Sequence, residues 1–222
     1  MAGAALIGFC LADAHSATCE SLPLPSVTVK RVDAPVTLDT SYDYKSITVI
    51  GSKEHPPEKR ILGLTRGVSR INFEMRLRSV VDLNRQWECV SPQIVVSYGF
   101  DPMTIYVAKE FPKGSCSFNE IYQHEQKHVQ TYQEHLAAIE KDFAETLARR
   151  FETGAPYRAA VGETRQMLSK ELNERWVPYL KREIERVKVS QALVDSPEEY
   201  ERVSKSCNGA IARTLRTSVV PK

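Results

Sequence analysis

The sequence predicts an α+β fold, in which a small, mostly antiparallel sheet is followed by one long helix and two further helices. Three observations carry this reading. Residues 71–78 alternate strictly between apolar and polar side chains, the period of a strand with one buried and one wet face. From Ile121 the period changes, and His128, Val129, Tyr132, Leu136, Ile139, Phe143 and Leu147 follow at intervals that keep one helix face apolar. Residues 21–25, Pro35 and the 54–57 stretch with Pro56-Pro57 punctuate an N-terminal region of short extended pieces.

Taken in order, residues 2–12 form a short apolar run rich in small side chains, and Ala12-Asp13-Ala14 and His15-Ser16-Ala17 after it have the small-x-small form cut by signal peptidase. No Lys or Arg precedes the run. Residues 1–17 therefore read as an export signal, with 18–222 as one mature domain, mainly β over 18–116 and helical over 117–222. The chain is then periplasmic or secreted. Cys10 would leave with the signal, and Cys19, Cys89, Cys116 and Cys207 remain, enough for two disulfides in an oxidising compartment. Three connectivities are open. A Cys89–Cys116 bond would fasten the long helix to the sheet and leave Cys19 for Cys207.

Residues 27–32 and 46–50 read as strands, followed by 71–78, 93–98 and 103–108. Gly99-Phe100-Asp101-Pro102 reads as a turn between the last two. Ser117-Phe118-Asn119-Glu120 has the form of a capping box and starts the long helix, which should end near Thr153-Gly154-Ala155-Pro156. A second helix is predicted over 157–189, with a kink at Pro178. Ser196-Pro197-Glu198-Glu199 opens the third, with an N-cap, a first-turn proline and acids at the positive helix end.

Charge narrows the function classes. Lys plus Arg total 30 and Asp plus Glu 28, for a formal net charge of +2, with both signs mixed along the chain. No concentrated basic tract marks a nucleic-acid partner. Beyond the N-terminal run no segment is long and apolar enough for stable membrane insertion of the mature chain.

The chemistry is concentrated in His124-Glu125-Gln126-Lys127-His128. Residues four apart on a helix share a face, so both imidazoles can reach one zinc ion. Glu125 is rotated by one residue and can stand beside the metal as general base, accepting a proton from an activated water. The alternative is a pair of core histidines with an incidental glutamate.

On this motif the chain resembles the zincin metallopeptidases, and most closely the secreted zinc-dependent proteases of bacteria. The likeness spans residues 103–136, and HExxH is its sharp element. It implies Zn2+ as cofactor, a peptide or protein as substrate, and residues 103–108 as the strand that binds substrate along its edge. Lys127 departs from the family, which carries an uncharged residue there. The metzincin continuation HExxHxxGxxH is broken, because Thr131 and Glu134 replace its glycine and last histidine.

A third ligand must come from elsewhere. If the first two helices form a hairpin turning near Gly154, residues 181–185 face the histidines, which makes Glu183 the geometric candidate and Glu171 the next. His135 shares the face of His124 but lies about 10 Å beyond His128 at 1.5 Å rise per residue, so it is a substrate contact or a packing residue. Tyr132 and Tyr122 could donate to an oxyanion or simply pack. Two other readings stay open: a zinc-binding protein without catalysis, and a periplasmic interaction protein whose helical hairpin is its working surface.

Overall fold

The computed structural model describes residues 18–52 and 60–217; the export signal expected over 1–17 lies outside them. The architecture is α+β. Its centre is β4 (Trp87–Val107), which pairs along nearly its whole length with β3 (Gly63–Asp82) in a long antiparallel hairpin. On the opposite edge of β4, β5 (Tyr157–Ala160), β1 (Ser26–Asp33) and β2 (Val36–Asp39) lie end to end.

The sheet is mixed, and this corrects the mostly antiparallel expectation. β1 and β2 run parallel to β4, while β3 and β5 run antiparallel. The intervening α1 (Tyr44–Gly51) and β3 supply the long crossover that parallel pairing requires. β4 is also continuous where a turn was expected at 99–102. The pairing skips there, passing from Gly67↔Met103 to Ser69↔Phe100, because Pro102 has no N–H to donate and the register shift absorbs the gap.

α1 occupies the place of the strand expected over 46–50. Asp43 caps it by accepting from the Ser46 amide at 2.8 Å. Its β-branched run looks strand-like, yet only Tyr44, Ile47 and Gly51 are buried on it, while Val49 remains 73% exposed. Burial of one helical stripe overrides local propensity.

α2 (Cys116–Phe151) lies across one face of the sheet and buries Ile121, Val129, Leu136, Phe143, Leu147 and Phe151. The buried Tyr98 hydroxyl donates to the Leu136 carbonyl at 2.9 Å and pins helix to sheet. The N-cap is Ser115, whose hydroxyl accepts from the Phe118 amide at 3.1 Å, two residues ahead of the expected Ser117. Ser117 is buried inside the helix, and Glu120 pairs with Arg202 instead of reaching back to close a capping box.

The second helix expected over 157–189 is divided. Residues 157–160 form β5, paired with the start of β4, and α3 (Glu163–Glu171) follows. A π-helical turn, Leu172–Trp176, leads into α4 (Val177–Glu185). Pro178 sits in the first turn of α4, where a missing N–H is tolerated, so the kink expected there takes the form of a π-turn followed by a new helix start. α5 (Val187–Val194) comes next. α6 (Pro197–Thr217) is interrupted at Ser206–Gly209, where Cys207, Asn208 and Gly209 all have positive φ.

The disulfides join Cys19 to Cys89 and Cys116 to Cys207, in place of the expected Cys89–Cys116 and Cys19–Cys207 pairs. The N-terminal turn is thus tied to β4, and the start of α2 is tied to the break in α6. Two such bonds are consistent with an extracellular or periplasmic setting. Among the described residues no helix is long and apolar enough to cross a membrane.

Candidate metal centre

α2 presents His124 and His128 on the face turned towards α5 and α6, with Glu125 beside them directed at the sheet. Asp195, in the short link between α5 and α6, reaches both histidines. The three contacts form a nearly equilateral triangle. His124 Nε2 and His128 Nε2 are 3.3 Å apart, and Asp195 Oδ1 is 3.2 Å from the first and 3.3 Å from the second.

The outer nitrogens fix the rings. Gln191 donates its side-chain amide to the His128 carbonyl at 3.0 Å, which turns its Oε1 towards His128 Nδ1 at 2.5 Å. That nitrogen must then carry the proton. His124 Nδ1 faces Glu199 Oε1 at 3.3 Å, a carboxylate that can only accept. Both rings therefore bear N–H outward and turn the lone pair of Nε2 inward. Two imidazole lone pairs and a carboxylate oxygen converge, and a single cation satisfies all three.

The spacing fits that cation. Tetrahedral ligands about 2.0–2.1 Å from a zinc-sized ion stand roughly 3.3–3.4 Å from one another. His124, His128 and Asp195 thus form a group that could hold a metal ion, with Gln191 and Glu199 fixing the ring orientations from behind.

Among themselves these groups share protons, which a metal ion must displace in order to bind. Burial opposes charge on both histidines, but Asp195 and Glu125 outweigh it and raise their pKa values. Burial likewise opposes ionisation of Asp195, and the two imidazoles reverse it and hold the carboxyl well below its ordinary range. Glu199 is held low first by Arg202. Lys127 lies against Glu199 at 2.6 Å and helps to steady the carboxylate behind His124.

Glu125 is 3% exposed. Burial pushes its carboxyl upward, and His128, His124 and Thr65 pull it back in part. The Thr65 hydroxyl lies 2.9 Å from both the Glu125 carboxylate and its carbonyl. β3 makes room for the carboxylate at Gly63, where a Cβ would stand 2.5 Å from Glu125 Oε1 and 2.6 Å from Ile121 Cγ2.

The other expected site residues are placed elsewhere. Glu183 lies outside the group formed by His124, His128 and Asp195. Its carboxylate pairs with Arg186, while its backbone carbonyl accepts from His135 Nε2 at 2.8 Å. The helical pair is therefore offset, bringing position 183 opposite His135 and carrying the chain past the histidines only at Asp195. Glu171 holds Arg150 and accepts from the Trp176 indole at 3.1 Å. Tyr132 packs edge-on against Phe100 at 4.5 Å, and Tyr122 stacks on Phe118 at 5.7 Å.

A cleft of about 890 Å³ opens over the metal group. One wall is residues 60–65, Gly67 and Ser69 of β3 and the segment before it; the other is α4 to α6, including Ile184, Val187, Tyr200 and Ile211. All but the last residue of the expected edge strand, 103–108, lies inside β4 between β2 and β3 and has no free edge along most of its length. β3 instead borders the cleft and pairs only with β4 among the described residues.

No protein-family model, curated protein or solved structure matches this chain.

Proposed function

We propose that this chain is a zinc-dependent peptidase of an oxidising, extracytoplasmic compartment. The observation that carries the reading is the convergence of His124 Nε2, His128 Nε2 and Asp195 Oδ1 at 3.2–3.3 Å beside the buried Glu125. The zincin resemblance enters through HExxH alone, with an aspartate from the α5–α6 link as the third ligand.

A bound zinc ion supplies Lewis acidity, which polarises a carbonyl and makes a water easier to deprotonate. Beside an ion held by His124, His128 and Asp195, Glu125 would take the proton from that water and return it to the leaving amine. The Thr65 hydroxyl orients the carboxylate for this transfer, and the missing side chain at Gly63 leaves space for it. Gln191 and Glu199 keep the imidazole N–H groups outward. The edge of β3 away from β4, which has no strand partner among the described residues, supports a peptide as substrate, because an extended chain can add to such an edge along the cleft. The helical-interaction alternative gains no support from α2, whose apolar stripe is buried against the sheet.

The test is zinc content by mass spectrometry on the purified mature chain and on His128→Ala, with Glu125→Gln in a peptidase screen. One zinc per chain that His128→Ala loses, together with hydrolysis that Glu125→Gln abolishes while keeping the metal, is the expected outcome. Zinc without any hydrolysis would leave a metal-binding protein. No zinc after incubation with the ion would end the reading.

A further inference from the structure

The segment that delivers Asp195 is weakly anchored by packing. Across residues 188–210 no side chain is buried, whereas Val187 before it and Ile211 after it are. Segments with so little buried apolar surface open at low free-energy cost. Within this arm, most contacts to α2 are polar: Gln191 with His128, Glu199 with His124 and Lys127, and Arg202 with Glu120 at 2.8 Å, beside a tilted ring contact of Tyr200 with His124 at 6.3 Å. The single covalent fastening is the Cys116–Cys207 disulfide. It ties the arm to the first residue of α2, eight positions before His124, about 12 Å along the helix. At the arm's end the chain departs from helix, with φ of 54°, 53° and 74° at Cys207, Asn208 and Gly209.

We propose that the Cys116–Cys207 disulfide and the metal centre are coupled through this arm, so that metal occupancy and the redox state of the bond control one another. The inference rests on reading His124, His128 and Asp195 as a metal centre. With the bond closed, Asp195 is confined near the two Nε2 atoms, and the third ligand is largely preorganised. A dithiol reductant opens it: the bond takes up two electrons and two protons, the dithiol closes to its own disulfide, and the arm is left with its non-covalent contacts. Metal affinity falls as Asp195 explores other positions. Linkage requires the reverse effect by the same factor, so bound metal protects the disulfide from reduction.

The Cys19–Cys89 bond is the internal control, since it joins the N-terminal turn to β4 and leaves the arm untouched. Zinc affinity is measured by competition with a chromophoric chelator on the natural chain, on Cys116→Ser/Cys207→Ser and on Cys19→Ser/Cys89→Ser. The expected result is a loss of about tenfold or more in the first variant and less than about twofold in the second. On the natural chain, titration with dithiothreitol and mapping of the freed thiols should show zinc protecting Cys116–Cys207 by the same factor and leaving Cys19–Cys89 unaffected. This second readout also serves if the Cys116→Ser/Cys207→Ser variant does not fold. Equal affinities, an equal loss in the control, or no protection by zinc would overturn the coupling while leaving the metal centre standing. A natural chain that binds no zinc would remove both.

Discussion

Gln191 and His128 hold each other by two hydrogen bonds, the Gln191 amide donating to the His128 carbonyl at 3.0 Å and the Gln191 oxygen accepting from His128 Nδ1 at 2.5 Å. One side chain thus fixes the tautomer of the histidine and fastens α5 to α2. Such partners behind metal ligands are typically worth 10–100-fold in affinity. Gln191→Leu should therefore weaken zinc binding about tenfold or more with helix content unchanged, as read by chelator competition and far-ultraviolet circular dichroism. Unchanged affinity would reduce the pair to an interhelical contact.

Asp195 and Glu183 are separated by one metal analysis. Asp195→Ala should lose the ion or hold it loosely enough to pass to a mild chelator, because two imidazoles remain of the three ligands a catalytic zinc requires. Glu183→Ala should keep one ion per chain, since its carboxylate is engaged with Arg186 at 3.0 Å. The opposite pattern would return the third ligand to Glu183.

Gly63 tests the position of Glu125. The Cβ of Gly63→Ala would meet Glu125 Oε1 at 2.5 Å, Ile121 Cγ2 at 2.6 Å and Glu125 Cγ at 2.8 Å. Overpacking of this kind typically costs about 1–3 kcal/mol of stability. Hydrolysis should fall steeply because the carboxylate is displaced, while zinc stoichiometry stays at one, since neither histidine is touched. Normal activity in Gly63→Ala would show that Glu125 need not occupy this position.

Glu88 gives a pH dependence independent of the metal. Burial raises its carboxyl pKa, but the Gly162 and Thr164 amides at the start of α3, each 3.0 Å away, outweigh burial and leave it below its ordinary value. A depressed carboxylate stabilises the fold fully above the unfolded pKa, and the contribution fades as pH falls through the folded one. Thermal stability should thus decline on acidification below about pH 4.3, the ordinary glutamate value. Glu88→Gln should be less stable at neutral pH by about 1–3 kcal/mol and show a shallower acid decline. Parallel melting curves against pH for the two proteins would refute this role.

Local pattern was legible where one side of an element decides its burial. The alternation of residues 71–78 appears within β3, and the stripe from Ile121 to Leu147 is the buried face of α2. It failed where distant packing intervenes. Residues 46–50 have strand propensity but are helical because Asp43 caps them and Ile47 enters the core. Residues 157–160 carry a helix-like pattern, yet they pair with β4 at Trp87–Val90.

By itself the sequence determined the α+β class and the pairing of His124 with His128, because a four-residue spacing on one helix fixes which side chains share a face. The tertiary structure alone decided the rest of the centre. Asp195 lies 71 residues from His124 and Gln191 lies 63 from His128, and no periodicity relates positions that far apart. Their meeting depends on the offset between α2 and α4, the break before α5 and the disulfide at Cys207. Each of these is set by packing or by a covalent bond between segments remote in the chain.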